Sequence, residues 1–174
     1  MTDNERDITA LLERLGDETA AHRLGTLAQF SDLDPDETET FRAEWAFFDP
    51  ALRRELAQAL QELAEASAEL DFRAIFVALT EDDEPVVRMA AARGLIEDTR
   101  RSTLSRLLTL LADDPDDSVR AAVASTLGAW TLSAAQGDYD EAMEQRLAKA
   151  LLAVAHDPAA GAEIRRRALE AVAY

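Results

Sequence analysis

Cysteine is absent from the 174 residues, histidine occurs twice, and glycine and proline occur six and five times. Without cysteine there are no disulfides and no thiolate metal sites, which fits an intracellular setting. His22 and His156 stand 134 positions apart, too few and too far apart in the sequence to suggest the three or four converging ligands of a zinc site. The glycines do not cluster into a phosphate-cradling loop, and no Gly-x-Ser-x-Gly elbow is present. No stretch approaches the roughly 20 apolar residues that span a bilayer. The opening MTDNERDITALLERLGDE carries charge throughout and has no apolar run fit for export. A soluble, cytoplasmic protein without catalytic group, metal or cofactor is expected. The acids of Asp32–Ala43 (DLDPDETETFRA) occupy places one, three and five of a calcium loop. Glu37 and Ala43 stand where that loop needs glycine and glutamate, so a solvated turn with helix-capping acids is expected instead.

What the chain has in excess is acid. Thirty-five Asp and Glu face 18 bases, of which only Lys149 is lysine. The imbalance is concentrated: residues 1–87 carry 22 acids and 7 arginines, whereas residues 88–174 carry 13 acids and 11 bases. An N-terminal half of charge −15 repels phosphate backbones, which argues against nucleic acid as a partner, and attracts basic surfaces. Solubility, or adaptation to a salty habitat, accounts for the same excess without any binding face.

Helix formers fill the segments, glycine and proline punctuate between them, and no stretch reads as a strand. About ten helices are predicted, near 5–15, 18–31, 37–48, 50–67, 71–80, 85–97, 102–112, 117–132, 139–156 and 161–173. The fourth shows the reason most plainly. Asp49-Pro50 supplies an N-cap and a proline at the first helical position. Leu52, Leu56, Leu60, Leu63 and Leu70 follow on one stripe, with Arg53, Arg54, Gln58, Gln61, Glu62 and Glu65 largely opposite.

The chain also repeats itself. ALTEDDEPVVRMAAARGLIE (Ala78–Glu97) returns 32 residues later within LLADDPDDSVRAAVASTLGAW (Leu110–Trp130). Leu79 aligns with Leu111, Asp82 with Asp114, Val87-Arg88 with Val119-Arg120, and Leu95 with Leu127. A fainter copy contains Asp157-Pro158 and Ile164-Arg165, and the weakest places Asp34-Pro35 before Phe41-Arg42. Such a period marks stacked helix pairs, none able to bury its apolar face alone. The motif DDPDDSVRAAVASTLG resembles a HEAT repeat, well over residues 71–132, moderately over 139–174 and loosely over 18–67. The resemblance implies an all-α, right-handed α-α superhelix of the HEAT or armadillo kind. One solenoid over 1–174 is expected, with divergent helices in 1–70 and repeats at 71–98, 102–132 and 139–174.

The resemblance further implies a non-catalytic scaffold that binds another protein along its concave helices. It assigns Asp82, Arg88, Asp114 and Arg120 to a structural ladder between adjacent repeats. If partly exposed, each rung contributes at most ~1 kcal/mol. Arg93, Glu97 and Ser125 are expected on the second-helix face toward the partner, with Trp45 as aromatic anchor. Phe41, Trp45 and Phe48 share a helix face that suits core packing, yet at least one of Trp45 and Trp130 is expected to be partly exposed. RRRALEAVAY, with Leu169, Val172, Ala173 and Tyr174, is not cap-like, so the array is expected to continue or its end to dock; the oligomeric state stays open. The alternatives are an acidic mimic of nucleic acid seated in a basic protein groove, and a HEAT-like repeat enzyme such as a pigment lyase or a glycosylase. A glycosylase needs a basic groove, which the N-terminal half opposes.

Overall fold

The computed structural model describes residues 6–98, 100–135 and 140–173. Among the described residues there are ten α-helices and no strand. They are α1 (Ile8–Asp17), α2 (Ala20–Leu27), α3 (Pro35–Trp45), α4 (Pro50–Ala66), α5 (Arg73–Leu79), α6 (Pro85–Gly94), α7 (Arg101–Asp113), α8 (Asp117–Ala135), α9 (Glu141–His156) and α10 (Ala162–Val172), with a 3-10 turn at Ala28–Phe30.

Acidic residues start several of these helices. Asp7 accepts from the Ala10 N–H at 2.9 Å, Asp49 from Ala51 at 2.8 Å and Asp140 from Met143 at 3.0 Å. Asp34 and Glu37 form a reciprocal capping box at α3, with Pro35 next to the cap, so two acids of the calcium-like loop are spent on a helix start. Several helices end earlier than predicted, α2 at Leu27 rather than 31 and α3 at Trp45 rather than 48 among them. α4 stops at Ala66, leaving Leu70 in the following turn, and α6 stops at Gly94 rather than 97. Beyond Gly94 the chain turns so that the Asp98 N–H reaches the Leu95 carbonyl at 3.1 Å. Of the loop expected after 132, Ser133–Ala135 extend α8, while residues 136–139 lie outside the described residues, as does Tyr174 at the chain end.

The chain divides into two compact units, Met1–Gly94 and Leu95–Tyr174. In the first, α1, α3 and α5 pack in one row and α2, α4 and α6 in another, with hairpin contacts joining α1 to α2 and α5 to α6. Leu12, Leu15, Phe30, Phe41, Leu56, Leu60, Ile75, Phe76 and Val87 fill the space between. α3 is therefore a first helix, and the Asp34-Pro35…Phe41-Arg42 alignment, which makes it a second helix, is out of register. The matching second helix is α4, where Pro50-Ala51-Leu52-Arg53 stands in the place of Pro85-Val86-Val87-Arg88.

The second unit repeats the plan with α7 and α9 in one row, α8 and α10 in the other, and hairpins α7–α8 and α9–α10. Leu107, Leu111, Val119, Val123, Leu127, Trp130, Leu151, Ile164 and Ala168 are buried there. The echo positions keep their environments: Leu79 and Leu111 are both buried, as are Val87, Val119 and Ile164. Alanines Ala90, Ala91, Ala122 and Ala124 are buried as well, which lets neighbouring helices approach closely.

Candidate functional site

The most elaborate polar arrangement lies in the first unit, around the turn between α5 and α6. Asp82 Oδ1 accepts the Glu84 N–H at 2.8 Å, and Oδ2 accepts both Trp45 Nε1 from α3 and Arg53 Nη1 from α4, each at 2.7 Å. The Asp82 side chain is 2% exposed and that of Arg53 11%. Arg88 adds a lid, its Nη1 donating to the carbonyls of Asp82 at 2.8 Å and Asp83 at 3.0 Å. An ion pair this deep is costly to desolvate, so its value lies in fixing two helices and a turn in one register. The limit of ~1 kcal/mol for exposed rungs does not apply to Asp82.

An open cleft of about 210 Å³ runs beside this node, floored by Phe41, Trp45 and Leu79 and edged by Arg42, Glu81 and Asp83. The floor is a small aromatic stack. Phe30 meets Phe41 edge-on at 5.8 Å, Phe41 stacks on Trp45 at 5.3 Å, and Phe48 meets Trp45 edge-on at 5.9 Å. Both tryptophans are buried, which overturns the expectation that one is partly exposed and removes Trp45 as an exposed anchor. The reason is that each indole N–H finds an acceptor inside: Asp82 for Trp45, and the Leu95 carbonyl at 3.2 Å for Trp130. Among the described residues the exposed aromatic is Phe47, at 83%.

In the second unit Arg120 Nε donates to the Leu111 carbonyl at 2.9 Å, in the last turn of α7, whereas Arg88 donates to carbonyls of the α5–α6 turn. Asp114 Oδ1 accepts the Asp116 N–H at 2.9 Å. Asp98 is buried and holds Arg100 through its backbone N–H and guanidinium, and accepts the Thr103 hydroxyl at 2.7 Å. Burial pushes its pKa up, but hydrogen bonds from Arg100 and Thr103 and the Arg100 charge outweigh it and hold the carboxyl below its ordinary range. The Asp-x-Arg turn ahead of α7 recurs as Asp71–Arg73 ahead of α5, a signature that periodicity analysis overlooks.

Ser125 is exposed on α8 and borders a groove of about 290 Å³ toward α10, lined also by Gly128, Ala129, Leu132, Arg167 and Glu170. Arg93 is exposed near the end of α6. Glu97 is exposed too, but not on a second helix: with α6 ending at Gly94 it falls in the next turn, which corrects its expected placement. Two of the three arginines in the basic run of α10 are neutralised within the helix, Arg166 and Arg167 both pairing with Glu163 and Glu170. Those pairs hold the Glu163 carboxyl below its ordinary range. His22 pairs locally with Thr19, and His156, the last residue of α9, donates to the Leu152 carbonyl. Among the described residues no three His, Asp or Glu converge as metal ligands.

Two rows of first and second helices, with turn aspartates and second-helix arginines at matching places, are the mark of one repeat class. The sequence profile of HEAT repeats matches residues 46–128 and, in a second alignment, 72–173. The chain belongs to the HEAT-repeat family. Comparison with curated proteins and with solved structures finds no match. HEAT repeats are generally protein-interaction scaffolds and typically non-catalytic. The first alignment starts at residue 46, one turn ahead of α4, in keeping with α4 as a second helix. Among the described residues no helix is long and apolar enough to cross a membrane.

Proposed function

We propose that this HEAT-repeat chain is a non-catalytic cytoplasmic scaffold whose protein partner lies against the second helices. The observation that carries this is the α8–α10 groove. Ser125, Gly128 and Ala129 give it a low wall that a partner can approach closely, and Leu132, 49% exposed, offers an apolar contact at its rim. Arg93 on α6 and Ser125 on α8 occupy outward second-helix positions in their own units. Asp82, Arg88, Asp114 and Arg120 serve the architecture in this reading, as rungs that hold successive repeats in register.

Affinity purification of the wild-type chain and a Leu132→Asp variant, compared by quantitative mass spectrometry, tests the proposal. A partner recovered by the wild type and depleted about tenfold by Leu132→Asp supports it, the magnitude of an apolar hot-spot loss. Partners retained in full by a folded Leu132→Asp chain overturn it.

A second reading draws on charge. At least seven of the nine arginines up to Gly94 are already ion-paired with acids, which leaves a carboxylate excess on that unit. Such a surface suits a basic groove that ordinarily holds nucleic acid. The two readings separate by salt: mimicry predicts affinity falling steeply with ionic strength, whereas the apolar groove predicts weak dependence.

A further inference from the structure

Arginine is the fourth residue of each second helix: Arg23 of α2, Arg53 of α4, Arg88 of α6, Arg120 of α8 and Arg165 of α10. The first four are held. Arg23 Nη1 pairs with Glu55 of α4 at 2.6 Å, while its Nε donates to the Leu15 carbonyl at 3.1 Å. Arg53 Nη1 pairs with Asp82 at 2.7 Å. In both cases the carboxylate is supplied by the next repeat along the chain. Arg88 and Arg120 donate to carbonyls of their own repeats. Arg165 breaks the pattern. Its Nε is enclosed without an acceptor, as is that of Arg53, but among the described residues no carboxylate or carbonyl meets its guanidinium.

Arg165 lines an open hollow of about 370 Å³ on the α9 side of α10, together with Ala155, Ala162, Arg166, Leu169 and Glu170. Arg166 and Glu170 cancel through their own pair, so Arg165 is the uncompensated charge of the hollow. Leu169, one turn beyond Arg165, is 50% exposed, and Leu152, one turn before Ala155 on α9, is 43% exposed.

We propose that this face docks an acidic amphipathic helix of another protein, which supplies to Arg165 the carboxylate that Glu55 and Asp82 supply to Arg23 and Arg53. The occupant follows from charge and from the precedent of the first unit. A carboxylate on the Nη atoms of Arg165 reproduces the Arg53 arrangement, and apolar residues of the same helix cover Leu169. Residues 88–174, with 13 acids against 11 bases, repel an acidic segment far less than residues 1–87 do. The site lies apart from the α8–α10 groove and does not rest on that reading.

The test uses the whole chain and a labelled peptide of the α4 sequence, PALRRELAQALQELAEA, which carries Glu55 beside a leucine stripe. Binding is followed by fluorescence anisotropy at physiological salt. Arg165→Gln in the chain weakens it about tenfold, and so does Glu55→Gln in the peptide. The two together weaken it no more than either alone, because they remove the same pair. Leu169→Ala weakens it about threefold, whereas Leu24→Ala, an exposed residue of α2, leaves it unchanged. Thermal melts verify that each protein variant folds, and the peptide variant tests the pair without altering the chain. Amide shifts on titration map to residues 152–155 and 162–170. Failure of the peptide to bind, additive losses from the two glutamine substitutions, or shifts confined to the first unit overturns the proposal. So does a homodimer that Arg165→Gln dissociates, since the occupant is then a second copy.

Discussion

Trp45 and Asp82, 37 residues apart, are joined by a hydrogen bond of 2.7 Å from the indole Nε1 to carboxylate Oδ2, and the same oxygen holds Arg53. One buried atom thus ties α3, α4 and the α5–α6 turn together. Trp45→Phe keeps the ring stack but removes one donor from a buried carboxylate, and should cost about 1–3 kcal/mol. Asp82→Ala leaves the Arg53 guanidinium buried without its counter-charge, with an expected loss of about 3–5 kcal/mol. Urea unfolding measures both. Losses below about 0.5 kcal/mol, the scale of ordinary surface substitutions, would show that the node is ornamental.

Gly94 ends α6 where no side chain fits. A Cβ there would lie 2.4 Å from Phe76 Cε2 and 2.5 Å from Cδ2 and Cζ, and Phe76 is fully buried with nowhere to retreat. Gly94→Ala should therefore destabilise by about 1–3 kcal/mol, against the helix-propensity trend. A Cβ at Gly128 would meet Ala171 Cβ at 3.2 Å and Cα at 3.3 Å, a milder conflict. There the ~1 kcal/mol gained from alanine in a helix offsets part of the strain. Thermal melts should rank Gly94→Ala well below Gly128→Ala. Trimming the obstacle, as in Gly94→Ala with Phe76→Leu, should cost less than the two separate losses combined.

The Asp98 carboxyl titrates below the unfolded value of about 3.9 because Arg100 and Thr103 favour its charged form despite burial. A depressed folded pKa means stability fully present above the unfolded pKa and lost as pH falls through the folded one. Asp98→Asn should lower stability at neutral pH by about 1–3 kcal/mol, and the gap should close below about pH 4. Unfolding curves taken across that range check the sign. A gap that widens on acidification would contradict the assigned environment.

Repeats made most of this fold legible. The Val-Arg dipeptide at 87–88 returns 32 residues later at 119–120, with Ile164-Arg165 a further 45 on, and these mark where second helices begin; Val87, Val119 and Ile164 are accordingly buried. Arg53 shows what periodicity misses. Its angle on the leucine-striped α4 places it on the wet face, yet it reaches 29 residues ahead in the chain to Asp82. The available signal was Pro50-Ala51-Leu52-Arg53 beside Pro85-Val86-Val87-Arg88, a likeness weakened by the change from valine to leucine. Tryptophan exposure could not be read at all, because it depends on acceptors supplied by residues 35 and 37 positions away.

The arginines of the second unit fall into two classes that sequence does not separate. Arg120, 16% exposed at its side chain, donates Nε to the Leu111 carbonyl in the last turn of α7 and lies 3.7 Å from Asp117. It satisfies a carbonyl at a helix end where the dipole is negative, so Arg120→Met should cost about 1–2 kcal/mol. Arg166 and Arg167 make more ion pairs, but on the open face of α10 and within a single helix. Water screens those pairs and each long side chain loses freedom in forming them. Thermal unfolding at low and high salt distinguishes the classes. The Arg120→Met loss should persist in high salt, whereas Arg166→Gln with Arg167→Gln should leave the melting temperature nearly unchanged and more so as salt rises. Equal losses in the two variants would mean that the charge of α10, rather than the backbone contact of Arg120, holds this unit together.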